Sequence, residues 1–442
     1  MPLTETKLAA VVMAGGLGTR MRSAVPKHLH PILGRRMVDW VLEAARPLDP
    51  ERVLMIASPA TRDAYGEVEV AVQERALGTG DAVRQTRSAL EGAADEVLVL
   101  SGDTPLLTAD LLTQLLETHR REDAGATVLS FEPAEPRSYG RVVRAADGTV
   151  LAIVEAGDAT PEQLELRECN SSIYVFRADL LWPALERLEP HNAQGELYLT
   201  DAVLDLVDRG ERVAAHVAPD PDETEGVNTR AELAAAAASL RDRINLAHML
   251  AGVTIADPAS TWIEPTVELE ADVVVHPFTV LRGSTRIAAG AEIGPQAVVL
   301  DAEVGPGATV GPFCYLRPGT VLAERSKAGT FVEIKKSRIG AGSKVPHLSY
   351  IGDAEIGEET NIGAGSITAN FPHRPDEPKG KTTIGDNARV AVDTMFVAPV
   401  TVGDDVWTAP GSVITDDVPD NALVGFAPRQ TIKEGRGGKR DR

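Results

Sequence analysis

The chain has 442 residues, enough for about two or three domains that each bury a full hydrophobic core. Its formal net charge of −21 argues against a general nucleic-acid or membrane-surface binder. Cys169 and Cys314 are its only cysteines, so the sequence offers neither a disulfide framework nor a set of zinc ligands. We find no secretory signal and no apolar run long enough for a membrane span, and a reducing cytoplasm is the expected location.

The first predicted strand leads into a glycine-rich loop. Leu8–Met13 is a short apolar run that indicates a buried β-strand, and residues 14–20 (Ala-Gly-Gly-Leu-Gly-Thr-Arg) follow it. Glycines let the backbone turn sharply, and the amides of such a loop can bind a phosphate. Arg20 and Lys27 add positive charge for the same anion. The alternative is a purely structural turn between a strand and a helix.

Strands and helices alternate through the rest of the N-terminal half. The sequence predicts a helix over 37–46, a strand over Arg52–Ala57, a strand near 67–72, a helix that extends from the 73–80 segment to about residue 91, and a strand over 96–100. This alternation predicts an α/β fold with a mostly parallel sheet, in which ligands bind at the carboxyl ends of the strands.

Asp103 follows the last of these strands, so we expect it to face the same crevice as the glycine loop. Mg²⁺ needs only one or two protein oxygens and takes its other ligands from phosphates and water. The sequence therefore predicts Asp103 as a magnesium ligand beside a triphosphate. The alternative is an aspartate that caps the following helix.

The glycine loop resembles the signature of sugar-1-phosphate nucleotidyltransferases, and further motifs narrow the resemblance. The further motifs are Gln73, Gly78-Thr79, Tyr139-Gly140-Arg141, Ile153-Val154-Glu155, Cys169-Asn170-Ser171, residues 192–201 and Glu225-Gly226-Val227-Asn228. Their order and spacing resemble the bacterial bifunctional family that joins N-acetylglucosamine-1-phosphate uridyltransferase to glucosamine-1-phosphate N-acetyltransferase. The resemblance covers nearly the whole chain.

The resemblance implies roles for individual residues in uridylyl transfer. Uracil and ribose would contact the backbone of Met13, Ala14, Gly15 and Gly16, with Gln73, Gly78 and Thr79. Arg20 and Lys27 would act on the phosphates, while Gly140, Glu155 and Asn170 would bind the amino sugar. Asp103 and Asn228 would hold Mg²⁺. A sugar-1-phosphate oxygen would then attack the α-phosphate of UTP and release pyrophosphate, a reaction that needs mainly positioning and charge neutralisation.

Several positions depart from the family pattern in this half. Ser101 stands where the family often has Tyr, His28 where an apolar residue is usual, and Asp81 where His is common. Ser171-Ser172 replaces a typical Thr-Gly or Ala-Gly pair. These positions affect selectivity for sugar and base rather than contacts with the phosphates.

The C-terminal half has a repeat of six residues. After a predicted linker helix over 229–251, aliphatic residues recur at every sixth position, as at Val304, Val310, Leu316 and Leu322, and glycine follows many of them. This hexapeptide repeat predicts a parallel β-helix. In families with this repeat the coil is left-handed and commonly assembles as trimers, so we expect a left-handed β-helix here. We therefore predict a uridyltransferase domain over 1–228, the linker over 229–251, a β-helical acetyltransferase domain over 252–432 and a disordered basic tail over 433–442, and we expect a homotrimer.

The repeat predicts that two cations lie on adjacent coils. Arg317 and Lys335 are one full coil apart, so they should stack roughly 5 Å from each other. Stacked cations would repel, which suggests a bound anion such as a phosphate. The alternative is a pair of solvated surface cations.

The segment 346–353 (Pro-His-Leu-Ser-Tyr-Ile-Gly-Asp) resembles the acetyltransferase centre of the same family. The resemblance implies that His347 takes a proton from the glucosamine amine as it attacks the acetyl thioester, a task suited to a group that titrates near neutrality. Tyr350, Asn361 and Asn370 would bind the amino sugar, and Arg317 and Lys335 its phosphate. Ala364, Val392 and Pro410 would contact acetyl-CoA. The alternative for His347 is an inert surface residue.

The acetyl-CoA site also departs from the family. Phe371 lacks the usual tyrosine hydroxyl, a short insertion lengthens the loop over 371–379, Val392 replaces a serine, and Pro410 replaces a small residue. The leading interpretation is a bifunctional enzyme that makes UDP-N-acetylglucosamine for the cell envelope. The alternatives are a uridyltransferase whose β-helix is a trimerisation or regulatory scaffold, and a non-catalytic sugar-nucleotide sensor.

Overall fold

A computed structural model describes residues 6–16, 18–372, 376–425 and 432. The chain divides into two compact units, Met1–Ser239 and Leu240–Arg442. The division falls inside the predicted linker helix, so the finer domain boundaries stay predictions. The predicted tail over 433–442 and residues 373–375 of the predicted insertion lie outside the described residues.

The first unit is an α/β fold. Its strands are β1 Leu8–Met13, β2 Pro31–Ile32, β3 Arg35–Arg36, β4 Arg52–Ala57, β5 Glu69–Val72, β6 Glu96–Ser101, β7 Ala126–Phe131, β8 Arg141–Arg144, β9 Val150–Val154, β10 Cys169–Arg177 and β11 Val213–Val217. Its helices are α1 Met37–Ala45, α2 Thr79–Arg84, α3 Arg87–Leu90, α4 Ala109–Arg121, α5 Pro161–Leu164, α6 Ala178–Glu186 and α7 Leu199–Asp208; α8 Arg230–Leu250 continues into the second unit.

The main sheet has the order β11-β7-β10-β6-β1-β4-β5, with β8 attached to β10 and β9 to β8. Because successive side chains of a strand point to opposite faces, Ala9 and Val11 of β1 pack in one core and Leu8 and Val12 in the other. Strand β1 pairs in parallel with both β4 and β6, whereas β10 is antiparallel to β6 and β7. The prediction of a mostly parallel sheet therefore holds around β1 and fails around β10.

The prediction of one continuous helix that reaches about residue 91 is wrong. The structure has two short helices there, α2 and α3, separated by residues 85 and 86. Thr86 is fully buried, and its hydroxyl donates to the carbonyl oxygen of Val83 at 2.8 Å. A threonine hydroxyl that bonds back to the preceding turn competes with the helical pattern, which explains the interruption.

The second unit is a stack of short parallel strands on three faces. Face A consists of Thr254–Ile255, Val274–Val275, Glu292–Ile293, Thr309–Val310, Lys327–Thr330, Lys344–His347, Asn361–Ile362, Arg389–Val390, Trp407–Thr408 and Leu423–Val424. Face B consists of Trp262–Ile263, Val280–Arg282, Val298–Leu300, Tyr315–Leu316, Glu333–Lys335, Tyr350–Gly352, Ile367–Ala369, Met395–Val397 and Val413–Ile414. Face C consists of Glu268–Leu269, Arg286–Ile287, Glu303–Val304, Val321–Leu322, Arg338–Ile339, Ala354–Ile356, Thr382–Ile384 and Val400–Val402.

This architecture confirms the fold class predicted from the hexapeptide repeat, a left-handed parallel β-helix. Leu316, Leu322, Ala328 and Ile334 occupy faces B, C, A and B in turn, and all four side chains are buried in the common core. Each hexad therefore contributes one aliphatic side chain to the interior, and three hexads complete one coil.

Candidate active sites

Parallel pairing of β1 with β6 brings the two predicted phosphate-site loops to one edge of the sheet. Met13 lies opposite Ser101, so the glycine loop and Asp103 leave the sheet side by side. Gly18 has φ +65, and a Cβ atom there would lie 2.4 Å from the Cβ of Lys27. A glycine is therefore required at position 18, both for the left-handed backbone and for the close approach of the segment that carries Lys27.

Four of the predicted phosphate and metal residues converge at this edge. The Lys27 Nζ forms an ion pair with the Asp103 carboxylate and donates to the Asn228 Oδ1 at 2.8 Å. The Arg20 guanidinium donates to the same Asn228 oxygen at 2.9 Å. The Lys27 and Asp103 side chains are only 15% and 18% exposed, so their charges are screened less than those of surface pairs.

The surroundings set the charge state of this cluster. Burial opposes ionisation of Asp103, but the charge of Lys27 and hydrogen bonds from Lys27 and Ser101 outweigh it and lower the carboxyl pKa. Desolvation of the buried His28 side chain lowers its pKa to about 4. The charges of Lys27 and Arg36 also lower this pKa, whereas the charge of Asp103 raises it. His28 is therefore neutral at neutral pH, and Lys27 and Arg20 supply the fixed positive charge.

Asp103 and Asn228 fit a magnesium ion by their chemistry. The carboxylate of Asp103 and the amide oxygen of Asn228 both accept from the Lys27 Nζ, so two hard oxygen donors face one point. Among the residues that the structure describes, no group of three or more His, Cys, Asp or Glu side chains could hold a metal. A cation here would need oxygens from a substrate as well.

A cavity of about 190 Å³ lies beside the glycine loop. Its lining includes most of the predicted base and ribose contacts, namely Met13, Gly15, Gly16, Gln73, Gly78 and Thr79. Ala14 is buried, and its carbonyl oxygen accepts from the Tyr65 hydroxyl at 3.3 Å. Gly78 has φ +112, and a Cβ there would lie 2.4 Å from the carbonyl oxygen of Leu197. The 192–201 stretch therefore packs directly against the loop that closes this cavity.

The predicted sugar residues also lie together. A Cβ on Gly140 would be 3.5 Å from the Glu155 Oε2, and the Asn170 backbone amide donates to the Gly140 carbonyl at 2.9 Å. Burial raises the pKa of Glu155, although a hydrogen bond from Thr200 opposes this. The Asn170 side-chain amide donates to the Tyr174 hydroxyl at 2.8 Å, which orients it.

The sequence interpretation missed the residues that hold Asn228 in place. Glu232 accepts from the backbone amides of Asn228 and Thr229 at 2.7 and 2.9 Å, and the Thr229 hydroxyl accepts from the Glu232 amide at 3.2 Å. This is a capping box at the start of α8, and the Thr-x-x-Glu spacing could have revealed it. The Tyr139 hydroxyl accepts from the Gly226 amide at 3.2 Å and supports the same segment.

In the second unit, the predicted base and the predicted acetyl-CoA contacts form one column. The carbonyl of His347 accepts from the Gly365 amide at 3.3 Å, that of Ala364 from Asp393 at 2.7 Å, and that of Val392 from Gly411 at 2.9 Å. These bonds place His347, Ala364, Val392 and Pro410 at matching positions of four successive coils. The His347 side chain is exposed at one end of this column.

The predicted sugar residues of this unit are only partly brought together. A Cβ on Gly352 would lie 2.4 Å from the Tyr350 hydroxyl and 2.9 Å from the Asn370 Nδ2, so these two side chains share one place on face B. Asn370 also donates to the Asp353 carboxylate, which lies 3.8 Å from the Lys335 Nζ. Asn361 lies apart from them on face A, in register with Lys344 and Arg389.

Arg317 and Lys335 lie in register on adjacent coils, as predicted, but neither is an unpaired cation. Leu316 lies opposite Ile334, so the next residues also align. However, Arg317 pairs with the Glu333 carboxylate at 2.7 Å, and Lys335 has Asp353 beside it. These carboxylates offset the repulsion from which the anion was inferred, and the anion site stays a prediction.

Lys379 is a further cation that the sequence interpretation missed. A hydrogen bond with Lys335, together with the charge of Lys335, lowers the pKa of Lys379. Its Nζ lies 5.4 Å from the centre of the Phe371 ring. The sequence interpretation used Lys379 only to count the inserted residues of this loop and assigned it no role.

Comparison with known proteins covers both units. A family model described as the MobA-like NTP transferase domain matches residues 10–198. The bifunctional protein GlmU of Streptomyces coelicolor is 48% identical over 97% of this chain and 93% of its own length. The chain belongs to the GlmU family. The GlmU protein of Corynebacterium efficiens is 45% identical over 98% of this chain and 94% of its own length. The GlmU protein of Mycobacterium tuberculosis (strain H37Ra) is 45% identical over 96% of this chain and 91% of its own length.

Membership of the GlmU family confirms the resemblance that the motifs indicated. The NTP transferase match begins in β1 and ends just before α7, and it therefore includes the glycine loop, Lys27 and Asp103. No helix in the described part of the chain has the length and apolar character needed to span a bilayer.

Proposed function

We propose that this chain performs two successive transfers. It is a bifunctional transferase that acetylates glucosamine-1-phosphate with acetyl-CoA and then moves a uridylyl group from UTP to N-acetylglucosamine-1-phosphate. The observation that carries this conclusion is 48% identity to a bifunctional relative over 97% of the chain, because that match includes both units. Both cysteines are unpaired and buried, which fits the reducing cytoplasm, where we place the enzyme.

In uridylyl transfer, the attacking sugar-phosphate oxygen is already anionic, so the reaction needs no general base. The new bond joins this oxygen to the α-phosphorus of UTP, and the bond to pyrophosphate breaks. Lys27 and Arg20 offset the negative charge that two phosphorylated substrates bring into one crevice. Gly140, Glu155 and Asn170 orient the amino sugar.

In acetyl transfer, the glucosamine amine must lose a proton as it attacks the thioester carbon. His347 takes this proton, and coenzyme A leaves as a thiol. Lys335, with Lys379, offers positive charge for the phosphate of the sugar. The column of Ala364, Val392 and Pro410 offers acetyl-CoA a contact surface that begins at His347.

Asp103 and Asn228 would hold Mg²⁺ in the first site. When bound there, the ion neutralises phosphate charge during uridylyl transfer. Addition of EDTA should therefore lower pyrophosphate release from UTP at least about 100-fold, the size of a lost charge-stabilising contact, and should leave thiol release from acetyl-CoA unchanged. A coupled pyrophosphate assay checks this, with excess Mg²⁺ restoring activity. Equal rates with and without EDTA would contradict the proposed metal site.

We propose further that three copies of the chain associate through face B. The outward positions of this face are mostly apolar, whereas those of faces A and C are mostly charged or polar. Val298, Tyr315, Ile367 and Met395 are 37–38% exposed, and Val413 is 59% exposed. At the adjoining corner, the exposed rings of Phe313 and Phe331 stack 5.0 Å apart. A mostly apolar face of this kind favours association with further copies.

The double variant Tyr315→Arg/Met395→Arg tests this assembly. We expect light scattering coupled to size exclusion to give three times the chain mass for the wild type and the single chain mass for the variant, because buried unpaired charges oppose the contact. Thr309→Arg on face A is the matched control and should remain trimeric. A wild-type monomer, or a variant that stays trimeric, would contradict association through face B.

The product of the complete reaction tests the proposed function. The wild-type chain is incubated with glucosamine-1-phosphate, acetyl-CoA, UTP and Mg²⁺, and the products are analysed by mass spectrometry. We expect UDP-N-acetylglucosamine. Uridylylated but non-acetylated sugar, or no nucleotide sugar at all, would contradict the proposal.

A further inference from the structure

The side-chain oxygen of Asn228 already serves two cationic groups. Its Oδ1 accepts from the Lys27 ammonium group at 2.8 Å and from the Arg20 guanidinium at 2.9 Å. The side-chain nitrogen donates to the Gly226 carbonyl oxygen at 3.3 Å, which turns Oδ1 toward these two groups. A metal ion that uses this oxygen must share it with two positive charges. The position of Asn228 therefore has to be set by contacts other than those of its own side-chain oxygen.

Backbone hydrogen bonds of the turn before α8 set that position. The amides of residues 226 and 227 donate to the Tyr139 hydroxyl at 3.2 Å and to the Asp103 carbonyl oxygen at 2.9 Å. The amide of Asn228 itself donates to the Glu232 carboxylate at 2.7 Å, the shortest of the three bonds. Because this bond is made by the metal-ligand residue, it controls the position of Asn228 most directly.

Both oxygens of the Glu232 carboxylate have partners. Oε2 accepts from the amides of Asn228 and Thr229 at 2.7 and 2.9 Å, and Oε1 accepts from the Arg137 guanidinium at 3.2 Å. The Arg137 and Glu232 side chains are 49% and 30% exposed, so their ion pair contributes little energy by itself. Glu232 lies in the first turn of α8, which gives its carboxylate a helical support. The bonds at Oε2 are therefore the ones that act on Asn228.

We infer that Glu232 is a positioning residue that sets the affinity of the first site for its divalent cation. It acts through the backbone amide of Asn228. The inference rests on the proposed function, in which Asp103 and Asn228 hold Mg²⁺. Removal of a group that orients a metal ligand typically costs about 10- to 100-fold in metal affinity. Loss of Glu232 should therefore weaken metal binding and leave the rate of the metal-saturated enzyme nearly unchanged.

The variants Glu232→Ala and Glu232→Gln test the inference by direct metal binding. Mn²⁺ replaces Mg²⁺ as a probe, UDP-N-acetylglucosamine is present throughout, and the EPR signal of free Mn²⁺ gives the bound fraction. We expect the Kd for Mn²⁺ to rise about tenfold in Glu232→Ala. Glu232→Gln keeps an oxygen that can accept from both amides, so its Kd should stay close to that of the wild type.

The pyrophosphate assay gives a second measurement on the same variants. In Glu232→Ala, the Mg²⁺ concentration that gives half the maximal rate should rise by the same factor as the Kd for Mn²⁺. The rate at saturating Mg²⁺ should stay near that of the wild type, which a general loss of folded protein would not allow.

Two further variants separate positioning from helix stability. Thr229→Ala removes the other half of the capping box, the hydroxyl that accepts from the Glu232 amide at 3.2 Å, and leaves the carboxylate on the Asn228 amide. Gln163→Ala is the matched control, because the Gln163 side chain accepts from the Thr160 amide at 2.9 Å in the capping box of α5. We expect both variants to bind Mn²⁺ with wild-type affinity, with a lower melting temperature for Thr229→Ala.

A weaker Mn²⁺ affinity in Glu232→Ala than in the other three variants supports the inference. An unchanged affinity in Glu232→Ala overturns it. An equal loss in Glu232→Gln would overturn it as well, because charge rather than position would then be the cause, and an equal loss in Thr229→Ala would trace the effect to the stability of α8. A wild-type chain that neither binds Mn²⁺ with UDP-N-acetylglucosamine nor releases pyrophosphate from UTP would instead overturn the proposed function.

Discussion

Replacing Lys27 with alanine should lower kcat/KM for uridylyl transfer by about 1,000-fold, because its ammonium group is the most buried cation facing the phosphates. The change also leaves the Asp103 carboxylate without its ion-pair partner inside the crevice. The rate of pyrophosphate release measures the effect. Thiol release from acetyl-CoA should be unaffected, because Lys27 belongs to the first unit.

Lys7→Ala is the matched control for this change. Lys7 is 54% exposed and only 3.8 Å from Glu51, an ion pair of the kind that contributes little in water. We expect the Lys7→Ala protein to catalyse uridylyl transfer at the wild-type rate. A Lys27→Ala protein that is folded and retains more than about a tenth of the wild-type rate would contradict the phosphate role of this lysine.

Replacing His347 with alanine should lower acetyl transfer by about 100- to 10,000-fold, the range typical for loss of a general base. The side chain is exposed at the end of the Ala364–Val392–Pro410 column, so its removal should leave the coil intact. The measurement is thiol release from acetyl-CoA in the presence of glucosamine-1-phosphate. Pyrophosphate release should stay at the wild-type rate.

His276→Ala is the control for the second change. His276 lies on an earlier coil, where its Nε2 is 2.6 Å from a Glu292 carboxylate oxygen. Loss of this surface pair should leave both activities unchanged. Thiol release that survives in His347→Ala, or that falls equally in His276→Ala, would contradict the role of His347 as the base.

The parts of the structure that follow from strict local rules could be predicted from the sequence. The six-residue period predicted the three-faced coil because each hexad must bury one aliphatic side chain. The glycine loop and Asp103 were expected at one crevice because parallel neighbouring strands end at the same edge, and Met13 does lie opposite Ser101. Asn228 and Lys27 are far apart in the sequence, and only the family resemblance indicated that they would lie together.

The parts that depend on tertiary contacts could not be predicted. The antiparallel direction of β10 is decided by pairing partners that are distant in sequence. The break between α2 and α3 depends on how the Thr86 hydroxyl is buried. The carboxylates beside Arg317 and Lys335 come from Glu333 and Asp353, and neither pairing is visible in the hexad pattern. Spacing places residues on a face, whereas side-chain partners depend on rotamers.

The presence of both activities on one chain is the central claim, and two assays on one purified wild-type sample test it most directly. The first follows pyrophosphate from UTP, N-acetylglucosamine-1-phosphate and Mg²⁺, and the second follows thiol from acetyl-CoA and glucosamine-1-phosphate. We predict turnover in both assays, despite the exposed Phe371 and the altered Val392 and Pro410. Pyrophosphate release without thiol release would contradict the claim and leave a uridyltransferase on a β-helical scaffold.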